Sequence, residues 1–258
     1  MGIWVRSGLA AVILVAIGLA GCAETDGVVV ESKTGADPGW LQFRLVHRTA
    51  PVPPGDGAPA AAEASVDTLE GVWGKVGAEA AELAMSLTEV PTDPSVLEVL
   101  EPFSRLAPDE VDLLPVPVRL YVPMITCDRL RPSQGYFDPS VETVACEPAG
   151  EDREKLHLGH SLLDGSAVAV ASGRPVPTDP TEYQIVLMLT DDGARRLNGL
   201  TADHIDRRLA ILLTDRVVFA PVIAEPSGGS MVHIPGGFSR QEAEDLARII
   251  NTATKIPG

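Results

Sequence analysis

The sequence predicts an α+β fold with an antiparallel sheet backed by helices, behind a signal peptide and a Pro-rich, partly irregular N-terminal region. Three observations predict it. Tyr183 to Leu189, "YQIVLML", is a nearly continuous apolar run suited to a central strand. "LAILLT" and "VVFAPVI" are two strand-like runs divided only by Asp215 and Arg216, a hairpin signature. "IPGGFSRQEAEDLARII", residues 234 to 250, reads as a strand end, a glycine turn and a capped helix.

The N-terminus is set aside first. "MGIWVRSGLAAVILVAIGLAGC" has a basic residue, Arg6, an apolar run from Gly8 to Leu19, and then Leu19-Ala20-Gly21-Cys22. That is a secretory signal peptide in form, over residues 1–21. Its L-A-G-C ending resembles the bacterial lipobox, whose cysteine carries lipid, so Cys22 is the expected attachment site. One acyl chain holds a protein only reversibly, at about 0.8 kcal/mol per buried methylene, whereas two or more make a durable anchor. Residues 22–38 are expected to be a tether, and the chain to sit on the outer face of a membrane.

The 258 residues carry a formal charge of −16, which argues against nucleic acid and against electrostatic docking on anionic lipid. Of three cysteines the lipid takes one. Cys127 and Cys146 remain, and in an exported protein a disulfide is the default. Closing that loop would stabilise the fold by roughly 3 kcal/mol on the chain-entropy account. The intervening "CDRLRPSQGYFDPSVETVAC" offers too few ligands for zinc.

Within residues 39–150, "WLQFRLVHR" alternates apolar and polar residues over Leu41, Phe43 and Leu45, the period of a half-buried strand. "APVPPGDGAPAAAEAS" is a flexible insertion by its Pro, Gly and Ala density. Residues 66–88 are helical in pattern, with Leu69, Val72, Val76, Ala80, Leu83 and Leu87 on one face, weakened by Gly71, Gly74 and Gly77. From Val90 to Pro123 prolines recur every few residues, predicting short helices and extended pieces.

Residues 151–258 are expected to form one domain. Thr190 and Asp191 cap a helix over "DDGARRLNGL", and Thr201 can cap a second, "ADHIDRR". "GGSMVHI" is a further strand. Ser239 and Glu242 form a capping box, and Phe238 and Ala243 stand at the staple positions. Gly236 and Gly237 permit backbone angles that a Cβ would resist. Everything in that motif specifies geometry and nothing supplies a reactive group.

These pieces together resemble the head of the first periplasmic domain of the SecD family, membrane partners of the bacterial export channel. The matching stretches are "LTDDGARRL", "LAILLTDRVVFAPVI", "PSGGSMVHI" and "IPGGFSRQEAEDLA", with "KLHLGHSLLDGSAVA" and "LQFRLV" upstream. The Cys127/Cys146 pair resembles a pair found in actinobacterial members. The resemblance is specific over residues 155 to 252, suggestive at 40 to 50 and 127 to 154, and absent from 51 to 120. Arg216 stands where that family's hairpin has glycine. The family's ion-coupled transmembrane helices have no counterpart, so the resemblance implies a head without its motor.

No catalytic constellation assembles. His157 and His160 form an H-x-x-H, but an odd offset in a strand points two rings to opposite faces. His204 falls on a polar helix face, and His233, between Val232 and Ile234, is expected toward solvent. No triad, phosphate loop or metal set appears, so no catalytic, cofactor or metal residue is expected. The function expected is a non-enzymatic module that binds exported polypeptides or the Sec translocase, presenting Phe219, Val222 and Ile223 from the hairpin. The alternatives are a structural envelope lipoprotein docked on one fixed partner, and an uncharacterised enzyme.

Overall fold

The computed structural model describes residues 40–52, 65–132, 135–148 and 153–253. Cys22, the L-A-G-C stretch, the tether and most of the Pro-rich insertion lie outside the described residues. In chain order the elements are β1 (Leu41–Pro51), α1 (Leu69–Val76), α2 (Ala78–Ser86), α3 (Pro94–Leu100), α4 (Pro108–Asp112), α5 (Val116–Tyr121), β2 (Thr143–Cys146) and β3 (Glu154–Asp164). There follow β4 (Val168–Val176), β5 (Asp179–Leu189), α6 (Asp191–Asp203), β6 (Leu209–Leu213), β7 (Arg216–Phe219), β8 (Met231–Phe238) and α7 (Arg240–Ala253).

The strands form two antiparallel sheets rather than one. The larger runs β2-β3-β1-β6-β7 and the smaller β4-β5-β8. The "YQIVLML" strand is indeed central, but in the smaller sheet. β1 lies between β3 and β6, so the strand from residues 39–150 is hydrogen-bonded on both sides to strands of the later half.

That position changes the reading of β1. An alternating strand should bury one face, yet all of residues 41–46 are buried. Leu41, Phe43 and Leu45 face the core between the two sheets, shared with Ile185, Leu187, Ile234 and the α7 residues Ala243, Ala247 and Ile250. The opposite face is closed by Phe137, which packs with Val46, Leu156 and Leu158. The polar side chains on that face are satisfied internally. Arg44 donates to the carbonyls of Val141 (2.8 Å), Gly159 (3.0 Å) and Asp138 (2.5 Å), and to Gln42 Oε1 (2.6 Å). Gln42 Nε2 donates to the Phe137 carbonyl at 2.6 Å. Burial lowers the Arg44 pKa to about 10, opposed by the Asp138 charge.

The helical layer covers the outer end of the same sheet, packing on Ala50 and Val144. The expected single helix over 66–88 is two helices, because Gly77 adopts φ +89° and ends α1 through its own N–H to the Trp73 carbonyl. Short helices follow, as the prolines predict. Asp93 caps α3 with Pro94 behind it, and Pro108 opens α4. Buried Glu110 receives Ala107 N–H (2.8 Å), Val66 N–H (3.0 Å) and Lys75 Nζ (2.8 Å), tying α1 to α4.

Two further expectations shift. The segment after Thr190 is one helix, α6, instead of two. The Thr201 hydroxyl donates back to the Leu197 carbonyl at 2.8 Å and accepts Ser227 N–H at 2.8 Å, so it fastens a loop rather than starting a helix. In the β6–β7 hairpin the turn residues are Thr214 and Asp215, while Arg216 pairs with Leu213 inside the ladder. Thr214, not Arg216, carries the positive φ of 56°. Gly193, in the first turn of α6, lets the helix lie directly on the Ala167 backbone, where any Cβ would collide.

Candidate functional site

The larger sheet ends in two edge strands, β2 and β7, which approach one another, and residues of both line one groove. Ala145 and Cys146 come from β2, Val218 and Phe219 from β7, and Pro235 and Phe238 from β8. The groove encloses about 590 Å³. The Cys127–Cys146 disulfide forms part of the β2 wall and ties it to the segment carrying Leu130. Among the described residues neither edge has a further strand partner on its groove side.

The lining combines apolar and charged side chains. Arg131, Arg153, Arg216, Glu147 and Asp215 supply the charges. Arg131 reaches Asp215 at 3.8 Å, linking the disulfide side to the hairpin turn. Near one end, Arg208 pairs with Glu147 and, at 2.8 Å, with Glu154.

The three hairpin residues expected to face a partner take three different positions. Phe219 is half-buried and lines the groove. Val222 is 58% exposed and lies outside that lining. Ile223 is buried in the inter-sheet core, with its N–H donated to the Arg207 carbonyl at 2.8 Å. The regular strand ends at Phe219, and pairing resumes at Val222, which bridges Arg208, so the alternation expected through "VVFAPVI" is interrupted over residues 220–221.

The C-terminal motif has the expected capping geometry. Ser239 N–H donates to Glu242 Oε2 at 2.8 Å, and Glu242 N–H donates to Ser239 Oγ at 3.3 Å. That reciprocal bonding holds the Glu242 carboxyl below its ordinary pKa. Gly237 takes φ +58°, Gly236 lies within β8, and Phe238 joins both the core and the groove lining. The corner is therefore a joint that also sets one groove wall.

The histidines divide as follows. His233 is exposed beside Gln184, and His204 bonds the Leu200 carbonyl at the end of α6. His157 does not stand alone: its Nε2 lies 3.0 Å from Glu142 Oε2, and its ring centroid 5.2 Å from that of His47. Among the described residues no group of three His, Cys, Asp or Glu is placed to hold a metal ion. No helix among them is long and apolar enough to cross a membrane.

Sequence comparison matches the later part of the chain to a family model. Residues 142–254 match the SecDF P1 head subdomain. SecD of Acidaminococcus fermentans is 36% identical over 96 residues, 37% of this chain and 21% of that protein. SecDF of Thermus thermophilus is 34% identical over 99 residues, 38% of this chain and 12% of that protein. A crystal structure of SecDF in a super-membrane-facing form aligns with a TM-score of 0.42 at 19% identity, over 86% of this chain and 20% of that one. The C-terminal part of the chain is a SecD/SecDF P1 head-like domain. The chain spans about a fifth or less of the length of these relatives.

Proposed function

We propose that this protein is an extracytoplasmic lipoprotein, anchored through Cys22, that holds extended polypeptide segments during protein export without catalysing a reaction. The observation that carries the reading is the groove lined by residues of the two edge strands of the larger sheet. Strand addition at such an edge supplies main-chain hydrogen bonds, which bind any sequence, while the apolar lining residues accommodate alternate side chains. Export substrates present many sequences in extended form, so backbone recognition suits them. The head-like domain supports the same context, because the relatives it matches are subunits of the protein translocase.

A photo-reactive residue at Phe219 tests this reading. Reduced, unfolded exported polypeptides are expected to crosslink there, and a probe at exposed Met85, on the far helical layer, is not. Equal capture at both positions would refute groove binding. Capture of one stoichiometric envelope protein instead would favour a fixed docking partner. For the anchor, Cys22→Ala is expected to leave the precursor unprocessed or to release it from membranes; normal processing with membrane retention would contradict it.

A further inference from the structure

A second constellation lies away from the groove, where β1 and β3 meet α5. Val46 pairs with Leu158 and Arg48 with His157, which leaves His47 as an extra residue on β1. Such a bulge re-aims one side chain. Here it swings the His47 ring onto Gly159, where a Cβ would stand 2.5 Å from His47 Nε2. The ring then shares a cavity of about 510 Å³ with His157 and Glu142. Glu142 serves both rings, at 3.0 Å to His157 Nε2 and 3.9 Å to His47 Nε2.

On its other side His47 meets Arg207. Arg207 Nη2 lies 3.5 Å from His47 Nδ1 and donates to the Val46 carbonyl at 3.2 Å. A guanidinium only donates, so this contact requires Nδ1 to accept, which is the neutral tautomer with its proton on Nε2. A second proton would go onto Nδ1. It would turn an acceptor into a donor facing a donor, and place a new cation beside Arg207.

We propose that His47, His157, Glu142 and Arg207 form a proton-operated latch: the Arg207 turn is fastened to the β1 bulge while His47 is neutral and released when it is protonated. The surroundings of His47 favour release over accommodation. From β3 come His157 and, near enough to oppose a further charge, His160. β1 adds Arg48, and α5 faces the cavity with Val116, Leu120 and the Tyr121 phenol but no anion. Arg119 of α5 is turned to Thr143 Oγ1 at 3.3 Å. Among the described residues Glu142 is the carboxylate that reaches both rings, and its closer bond, at 3.0 Å, is to His157. Partial burial and the His157 charge, in that order, lower the His47 pKa; the ring remains 38% exposed, so protons reach it.

What is released is specific. Arg207 belongs to the connection from α6 to β6, and its carbonyl accepts Ile223 N–H at 2.8 Å. Val46 N–H still donates to the Arg208 carbonyl at 3.0 Å and Asp206 N–H to the Ile223 carbonyl at 2.9 Å, so losing the His47 contact is expected to loosen residues 46–48 and 204–207 rather than to unfold them.

The test is hydrogen exchange on the full chain, corrected for intrinsic rates, at pH 7.5 and pH 5. Exchange at residues 46–48 and 204–208 is expected to rise several-fold at the lower pH, while residues 185–189 stay protected. His47→Gln keeps a neutral acceptor and is expected to abolish the rise. Arg207→Ala removes the opposing cation and is expected to leave both segments open at both pH values. A rise that persists in His47→Gln, or no rise while His47 visibly titrates by NMR, would overturn the latch. If His47→Gln fails to fold, the NMR titration of the unmodified chain against exchange decides the matter by itself.

Discussion

Between residues 65 and 132 no helix exceeds nine residues, whereas between 153 and 253 strands reach eleven and helices fourteen. Both regions bury a continuous core, yet they are held differently. The later region relies on ladders and on α7 lying along β4, where Gly173 permits close approach and Asn251 bonds both the N–H and the carbonyl of Ala171. The earlier region has helices too short to persist alone. Its elements are tied by individual side chains. Glu110 joins α1 to α4, and buried Lys155 reaches from β3 to the carbonyls ending α5, at 2.8 Å for Val122 and 3.3 Å for Arg119. The disulfide then fixes the end of this layer to β2. A regular region spreads its stability over many equivalent bonds, while an irregular one concentrates it in a few.

If that contrast holds, single changes should hurt the helical layer most. Phe103 is fully buried and meets Trp73 edge-on at a centroid distance of 6.4 Å. Phe103→Ala is expected to cost about 3–5 kcal/mol, read by denaturant unfolding. Replacing Cys127 and Cys146 together by alanine is expected to cost about 2–5 kcal/mol, and to loosen the β2 wall of the groove before the smaller sheet. Coincident loss of protection in both regions would remove the contrast. Ser239→Ala, which breaks one half of a capping box on a well-packed helix, is expected to cost about 1 kcal/mol, seen as a small drop in Tm.

The smallest effect sharpens the comparison through pH. The His47 pKa is lowered on folding, so the unfolded chain binds more protons below the ordinary histidine value of 6.5. Stability is therefore expected to decline as pH falls below 6.5. Glu142, lowered chiefly by its bond to His157, withholds its own loss until pH falls below 4.5. Unfolding midpoints across pH 7.5 to 4 check this, with His47→Gln flattening the upper part of the decline.

The sequence was most legible where periodicity and capping agree. β5, the capped start of α6, the presence of the β6–β7 hairpin and the Ser239–Glu242 corner follow from local patterns, because each is specified by residues close in the chain, whereas the length of α6 and the hairpin's turn residues do not. The interior role of β1 was not legible, since Gln42 and Arg44 read as solvent-facing until the residue 135–142 segment is laid over them. The turn at Thr214 escaped because β-branched residues seldom take positive φ. Phe219 could be chosen from the hairpin, but its partners in the groove are contributed from about 127 to 238 in sequence. His47 meets Glu142 and His157 only through a bulge, which breaks the alternation that sequence reasoning depends on.

The account turns on β7 acting as an open edge for another chain. The direct measurement is amide protection at residues 216–219 when an extended, apolar peptide from an exported protein is added to the full chain. The account predicts that these amides and those of residues 143–146 become protected, and that Phe219→Glu abolishes the effect. Peptide binding that leaves both edges unprotected, or that survives Phe219→Glu unchanged, would contradict it.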